Sequence, residues 1–247
     1  MKIDLLILAI SPVLACLLWI YLKDRYEKEP LNVLLKFFIL GVLVSGFSII
    51  VEKFLVNISN FSGYGYIFYM SFIVAALTEE GIKALILIPV LLKERHFNEK
   101  LDGIIYSVFL SLGFATIENI IYLFFEDINF AYEVGLTRAI ISIPAHIIFA
   151  INMGYYISKY KFYNKNTQKN QYIIRAILVP VLIHGLFDFI LMIQYRWAII
   201  VFIVYIVFLW KISLDKLDEY TDNSRKRFFR RRKRKDDNNW LYYRNNF

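Results

Sequence analysis

The sequence has 247 residues, of which 58% are hydrophobic and 18% aromatic, with a net charge of +8. That composition excludes a water-soluble globular domain, whose surface needs a far larger polar share. A lone cysteine, Cys16, excludes an internal disulfide and a thiol-cluster metal site.

The apolar residues fall into seven runs of roughly 20 residues, the length that carries a helix across a hydrocarbon core of about 30 Å. The predicted spans are Ile3–Leu22, Leu34–Val51, Tyr66–Leu92, Ile104–Phe125, Arg138–Ile157, Tyr172–Ile193 and Trp197–Trp210. Helices are expected because lipid leaves each backbone amide to be satisfied within its own segment or in a closed barrel. The fold class expected is therefore all-α, a polytopic bundle of about seven transmembrane helices, as one membrane domain over residues 1–210 followed by a basic tail over 211–247. The box Val13-Leu14-Ala15-Cys16 faintly resembles a lipoprotein cleavage site, but the apolar run continues to Leu22, so the first span is read as uncleaved.

Orientation follows from the basic residues, which cytoplasmic loops retain. Lys23, Arg25, Lys28 and Lys36 flank the first loop, Lys93, Arg95 and Lys100 the third, and Lys159, Lys161, Lys165, Lys169 and Arg175 the fifth, with twelve more from Lys211 onward. Only Lys2, Lys53, Arg138 and Arg196 fall on the opposite side, and Lys83 lies inside a span. The expected topology is an outside amino terminus and a cytoplasmic carboxyl terminus in the cell membrane. The run from Arg225 to Lys235, with Phe228 and Phe229, is read as contacting anionic lipid and retaining topology rather than binding nucleic acid.

Charged groups inside spans cost several kcal/mol unless they face a bundle interior or a wet cavity, so each is a candidate for function. The third span carries Glu79, Glu80 and Lys83, the fourth Glu118 and Asn119, the fifth His146, and the sixth His184 and Asp188. At about 1.5 Å per residue, Glu79 lies near the span centre, His146 and His184 about 2 Å outward, Glu118 about 5 Å and Asp188 about 8 Å outward, and Lys83 about 6 Å inward. Four helices thus present acid–base groups in one band. Glu79 and Lys83, four apart, share a face, with Glu80 turned about 100° away. His184 and Asp188 are also four apart, and Pro180 and Pro144 are expected to kink the helices beside them. A Glu80–Lys83 pair could equally be a packing device, Asn119 is expected to hydrogen-bond across helices, and His146 alone could be a satisfied bundle histidine.

Taken in order on a seven-span frame, Glu79-Glu80-x-x-Lys83, Phe114-x-x-x-Glu118-Asn119 and His184-x-x-x-Asp188 resemble the PrsW family of intramembrane proteases. Asp24-Arg25-Tyr26-Glu27-Lys28-Glu29-Pro30 looks like that family's first cytoplasmic loop, and the resemblance covers roughly residues 1 to 210. The family is in turn similar to the CAAX-processing and bacteriocin-processing membrane proteases, although Glu118 stands where that wider group has a histidine. The resemblance implies hydrolysis of a peptide bond in a single-span membrane protein, with an anti-sigma factor as the substrate class, cut at its outer side.

Two hydrolytic chemistries fit the residues. Glu79, with Glu80 beside it, can act as general base on a water positioned by Glu118, while His146 or His184 with Asp188 stabilises the oxyanion and protonates the amine. Alternatively His146, His184 and a carboxylate, Glu118 or Asp188, hold zinc. No span carries His-Glu-x-x-His, and the metal-free glutamate mechanism is preferred on the likeness to the CAAX-processing group, with no cofactor required. A proton-coupled transporter would also bury Glu, His and Asp, but neither an internal repeat nor a matching pair of broken spans accompanies them.

Overall fold

The computed structural model describes residues 2–163 and 169–246, with side chains through residue 234 apart from those of Lys2 and Ile128. Lys165, counted above with the fifth loop, lies outside the described residues, as do the side chains of Lys235 and Arg244. Among the described residues the chain is all helical, in seven rods. These are α1 (Lys2–Lys23), α2 (Leu31–Asn57), α3 (63–93), α4 (Lys100–Phe125), α5 (128–162), α6 (Lys169–Met192) and α7 (Ala198–Asn246). Six of them hold an apolar stretch long enough to cross a bilayer. The other, α3, is joined from three helical segments and carries Glu79, Glu80 and Lys83 in its last part. The chain is a polytopic membrane protein.

The core is built around α4, in which every residue from Leu101 to Thr116 is buried. The other rods wrap it and turn Leu, Ile, Val and Phe outward, as with Leu43, Phe47 and Ile50 of α2 and Ile199, Ile200, Ile203 and Val204 of α7. Lipid is as apolar as these side chains, so burial alone does not drive rods together; close backbone approach and interhelical polar contacts do. The approach is close between α2 and α4, where a side chain on Gly41 would run into the backbone of Leu110, and between α4 and α5, where one on Gly154 would run into the backbone of Gly103 and one on Gly103 into Ser158.

Two rods contain a π-helical stretch, Tyr69–Leu77 in α3 and Arg138–Ser142 in α5. Each lies within the two turns before an expected site residue, Glu79 in α3 and His146 in α5. In α5 the stretch runs into Pro144 at the start of the following α segment. Proline has no N–H to donate, so widening the preceding turn is a local answer to its presence.

Several boundaries differ from the sequence expectation. The fifth rod begins ten residues before Arg138, which is therefore not an outer-loop charge but a buried helical residue. Leu31–Asn57 extends the second rod past Val51 and takes in Glu52. The last rod continues without a break past Trp210, through a stretch that contains neither glycine nor proline. The turns just past Trp210 pack against the bundle: Ser213, Leu217, Tyr220 and Ser224 are buried, Asn152 donates to Ser213 Oγ at 2.9 Å, and Lys216 bonds Asn152.

The predicted charged loops gather at one end of the bundle. Lys23 pairs with Asp218 at 3.0 Å, Lys36 with Glu94 at 2.7 Å, and Arg231 with Glu27 at 2.7 Å. Asp24 caps the first loop by accepting the Glu29 amide at 2.8 Å, and Tyr106 donates to the Glu29 carboxylate.

Candidate active site

Four rods bring the sequence-predicted acids and histidines together. Glu79, Glu80, Lys83, His146 and His184 are all less than 8% exposed, while Glu118 and Asp188 keep partly open side chains. Lys83 Nζ lies 2.8 Å from Glu80 Oε1, 3.2 Å from Glu79 Oε2 and 3.5 Å from His146 Nδ1. Although Glu80 is turned about 100° from Glu79, Lys83 bridges both. Helical side chains lean toward the amino-terminal end of their rod, so a lysine one turn inward reaches back between the two acids. Its ammonium also sits 3.9 Å from the centre of the Phe114 ring.

Glu80 Oε1 also meets His184 Nδ1 at 3.2 Å, and the other ring nitrogen of His184 meets Asp188 Oδ2 at 3.2 Å. The imidazole is thus held at both nitrogens and stacked on Phe149, ring centres 4.6 Å apart. Glu118 divides its two oxygens: Oε2 lies 2.8 Å from His146 Nε2, and Oε1 lies 3.0 Å from Arg138 Nη2. Asn119 accepts from Arg138 Nε at 2.7 Å and donates to the Ala9 carbonyl of α1 at 3.3 Å, the interhelical bonding expected of it.

A cavity of about 830 Å³ lies against these groups. Glu79, Glu118, His146, His184 and Asp188 line it, among mostly apolar walls that include Val74, Phe114, Phe149 and Phe187. Glu80 and Lys83 do not; they back the site from inside the bundle. The cavity continues to Lys53 and Asn57 at the end of α2 and to Met192 at the end of α6, away from the end that holds Lys23, Lys36 and Glu94. Buried donors converging on an apolar cleft of this size are the pattern of a catalytic or binding site.

Glu52, Tyr122 and Arg138 also line the cavity and were not read from the sequence as site residues. Glu52 accepts from Ser48 at 3.0 Å and was missed because its rod was ended at Val51, one residue before it. Arg138 was missed because it was read as an outer-side charge at the very start of its span. Its available signal is a spacing of eight residues from His146 with Pro144 between them.

The donor set was tested for a metal ion by its own chemistry. Two groups have ligand atoms all within 4.8 Å of one another: Glu79, Glu80 and His184, and Glu79, Glu118 and His146. Each histidine joins a different group, and Asp188 joins neither. In the first group the Lys83 ammonium already stands beside both carboxylates. The second group faces the cavity with all three members, and one imidazole with two carboxylates is a donor set that suits a catalytic zinc ion.

The model of the PrsW family, described as intramembrane metalloproteases, matches residues 29–212. Protease PrsW of Clostridioides difficile (strain 630) is 59% identical over 229 residues, covering 93% of this chain and 96% of that protein. Protease PrsW of Bacillus subtilis (strain 168) is 35% identical over 207 residues, covering 84% and 91%, and that of Oceanobacillus iheyensis is 35% identical over 222 residues, covering 90% and 98%. No solved structure matches the chain. With a family match over most of its length and relatives aligned nearly end to end, the chain belongs to the PrsW family of intramembrane proteases.

Proposed function

We propose that the chain hydrolyses a peptide bond near the outer boundary of a single-span membrane protein, an anti-sigma factor by the family's substrate class, in the cavity lined by Glu79, Glu118 and His146. The observation that carries this reading is the cavity itself, which joins the acid–base groups to the end of the bundle remote from the lysine-rich loops. The charge distribution supports an outside amino terminus and a cytoplasmic carboxyl terminus, so that this mouth faces outward. Reporter fusions near Asn60 should read external and fusions in the tail cytoplasmic.

Glu79 takes a proton from the attacking water as oxygen adds to the scissile carbonyl, and Glu118 with His146 holds that water from the other side. His184, steadied by Asp188, passes a proton to the departing amine. Glu79, Glu118 and His146 would hold a divalent cation, whose chemistry when bound would be Lewis-acid polarisation. We prefer this metal-dependent form to the metal-free one, because two donor groups converge on Glu79. Anionic lipid at the outward face of the cytoplasmic part of α7, where Arg225, Lys226 and Arg230 are exposed, is the second partner proposed.

The test uses purified chain in nanodiscs with a tagged single-span anti-sigma factor. Replacing Glu79 by Gln in a stably folded chain should abolish cleavage, and metal analysis should find about one zinc per chain, with activity lost to a chelator and restored by zinc. Cleavage that survives both treatments would overturn the proposed chemistry. Mass spectrometry of the cut termini locates the bond.

A further inference from the structure

We infer that Arg138 is a positioning residue of this site: its guanidinium fixes the Glu118 carboxylate in the orientation that engages His146 and the water. The inference rests on the hydrolytic reading above and adds a residue outside the motifs that define it.

Arg138 is 8% exposed, deep enough that its charge needs a partner within the protein. It has three contacts, and all lead to the rod that carries Glu118. Nη2 pairs with Glu118 Oε1 at 3.0 Å, Nε donates to Asn119 Oδ1 at 2.7 Å, and the guanidinium carbon lies 4.1 Å from the centre of the Tyr122 ring. Glu118 and Tyr122, four apart, share a face of α4 and Asn119 lies beside it, so the planar guanidinium is held at an edge and over a ring. A flexible ammonium could not be held in this way. With Oε1 taken by Arg138, Oε2 is the oxygen left to meet His146 at 2.8 Å.

The helix geometry explains how Arg138 and His146 come to grip the same carboxylate. In an uninterrupted α-helix eight residues at about 100° each leave the two side chains roughly 80° apart. A π-helical turn takes up one extra residue. With the turn at Arg138–Ser142, seven effective steps bring the pair within about 20° of the same face. The widened turn, set against Pro144, is thus what aims Arg138 at Glu118.

The experiment measures kcat and KM of nanodisc-embedded variants on the tagged anti-sigma factor, with thermal midpoints recorded alongside. Arg138→Ala should lower kcat by about 100-fold, as for a catalytic group displaced by about 1 Å, with KM changed less than about threefold. Added guanidinium ion should restore at least about a tenth of the lost rate, and Arg138→Lys should fall between. Inserting one alanine after the lipid-facing Ile140 keeps the arginine but turns it about 100° from Glu118, and should reproduce the kcat loss. Arg138→Ala within about threefold of parent kcat, or a kcat loss that guanidinium leaves unchanged, overturns the inference. If Arg138→Ala does not fold, the alanine insertion after Ile140 decides, and parent-like kcat there overturns it. Glu79→Gln is run in parallel: inactivity of that variant beside a fully active Arg138→Ala sinks only the role of Arg138, whereas cleavage by Glu79→Gln sinks the hydrolytic reading itself.

Discussion

Lys83 Nζ lies 2.8 Å from Glu80 Oε1, and both side chains are 1% exposed. This pair backs the site from inside the bundle and leaves Glu79 as the glutamate of the doublet that faces the cavity. Two neighbouring acids in the sequence thereby have different surroundings, one balanced inside the protein and one open to substrate. Removing one member of a buried pair leaves an uncompensated charge, at a cost of about 3–5 kcal/mol. Lys83→Met should therefore lower the thermal midpoint strongly, and adding Glu80→Gln should recover most of it. If the double variant is no more stable than Lys83→Met, Glu79 is the acid that depends on Lys83.

The contact of α4 with α5 sets the distance between Glu118 and His146. Gly154→Ala would push a methyl group into the backbone of Gly103, a tight overpacking that costs about 1–3 kcal/mol. Cleavage should fall along with stability, because the two rods carry the two groups. Gly46→Ala, with nothing near the added carbon, is the matched control and should behave as the parent. Thermal midpoints and initial cleavage rates of both variants check this.

The loop between α1 and α2 carries a pH dependence. Burial is the main cause that pushes Asp24 and Glu29 each up to about 7. Unfolded carboxyls titrate near 4, so the native loop retains protons between about pH 4 and 7 that the unfolded chain releases. The resulting stability is complete below about pH 4 and is lost as pH rises through about 7. The thermal midpoint of the parent should fall between pH 6 and pH 8.5, and the Asp24→Asn, Glu29→Gln double variant should show a flatter profile. Equal slopes would mean that other groups carry the dependence.

The turns of α7 just past Trp210 belong to the bundle. Tyr220 is fully buried and stacks on Tyr155 with ring centres 4.8 Å apart. Tyr220→Ala should destabilise by about 3 kcal/mol, the order of an aromatic deletion from a core. Truncation after Trp210 should be at least as damaging in thermal melts, whereas removing residues 235–247 is expected to spare the midpoint.

The number of rods and the membership of Glu79, Glu80, Lys83, Glu118, Asn119, His146, His184 and Asp188 were legible in the sequence alone. Apolar runs of span length force helices, and an ionisable group among them stands out because lipid penalises it so heavily. The pairwise geometry was not legible. Spacing placed Glu80 on a different face from Glu79, yet Lys83 reaches both, because a long side chain covers more of the helix surface than its own 100° sector. Spacing also could not say that His146 serves Glu118 while His184 serves Glu80 and Asp188, since that depends on which rods are neighbours. Arg138 was hidden most completely. A rod read as uniformly α-helical turns it away from His146, and only the widened turn before Pro144 brings it onto the Glu118 carboxylate. The one-dimensional pattern determined which groups lie in the membrane, because burying charge in lipid is costly wherever it occurs; the tertiary structure alone decided which charges neutralise one another and which face the cavity, because that depends on rod neighbours and on one extra residue in a helical turn.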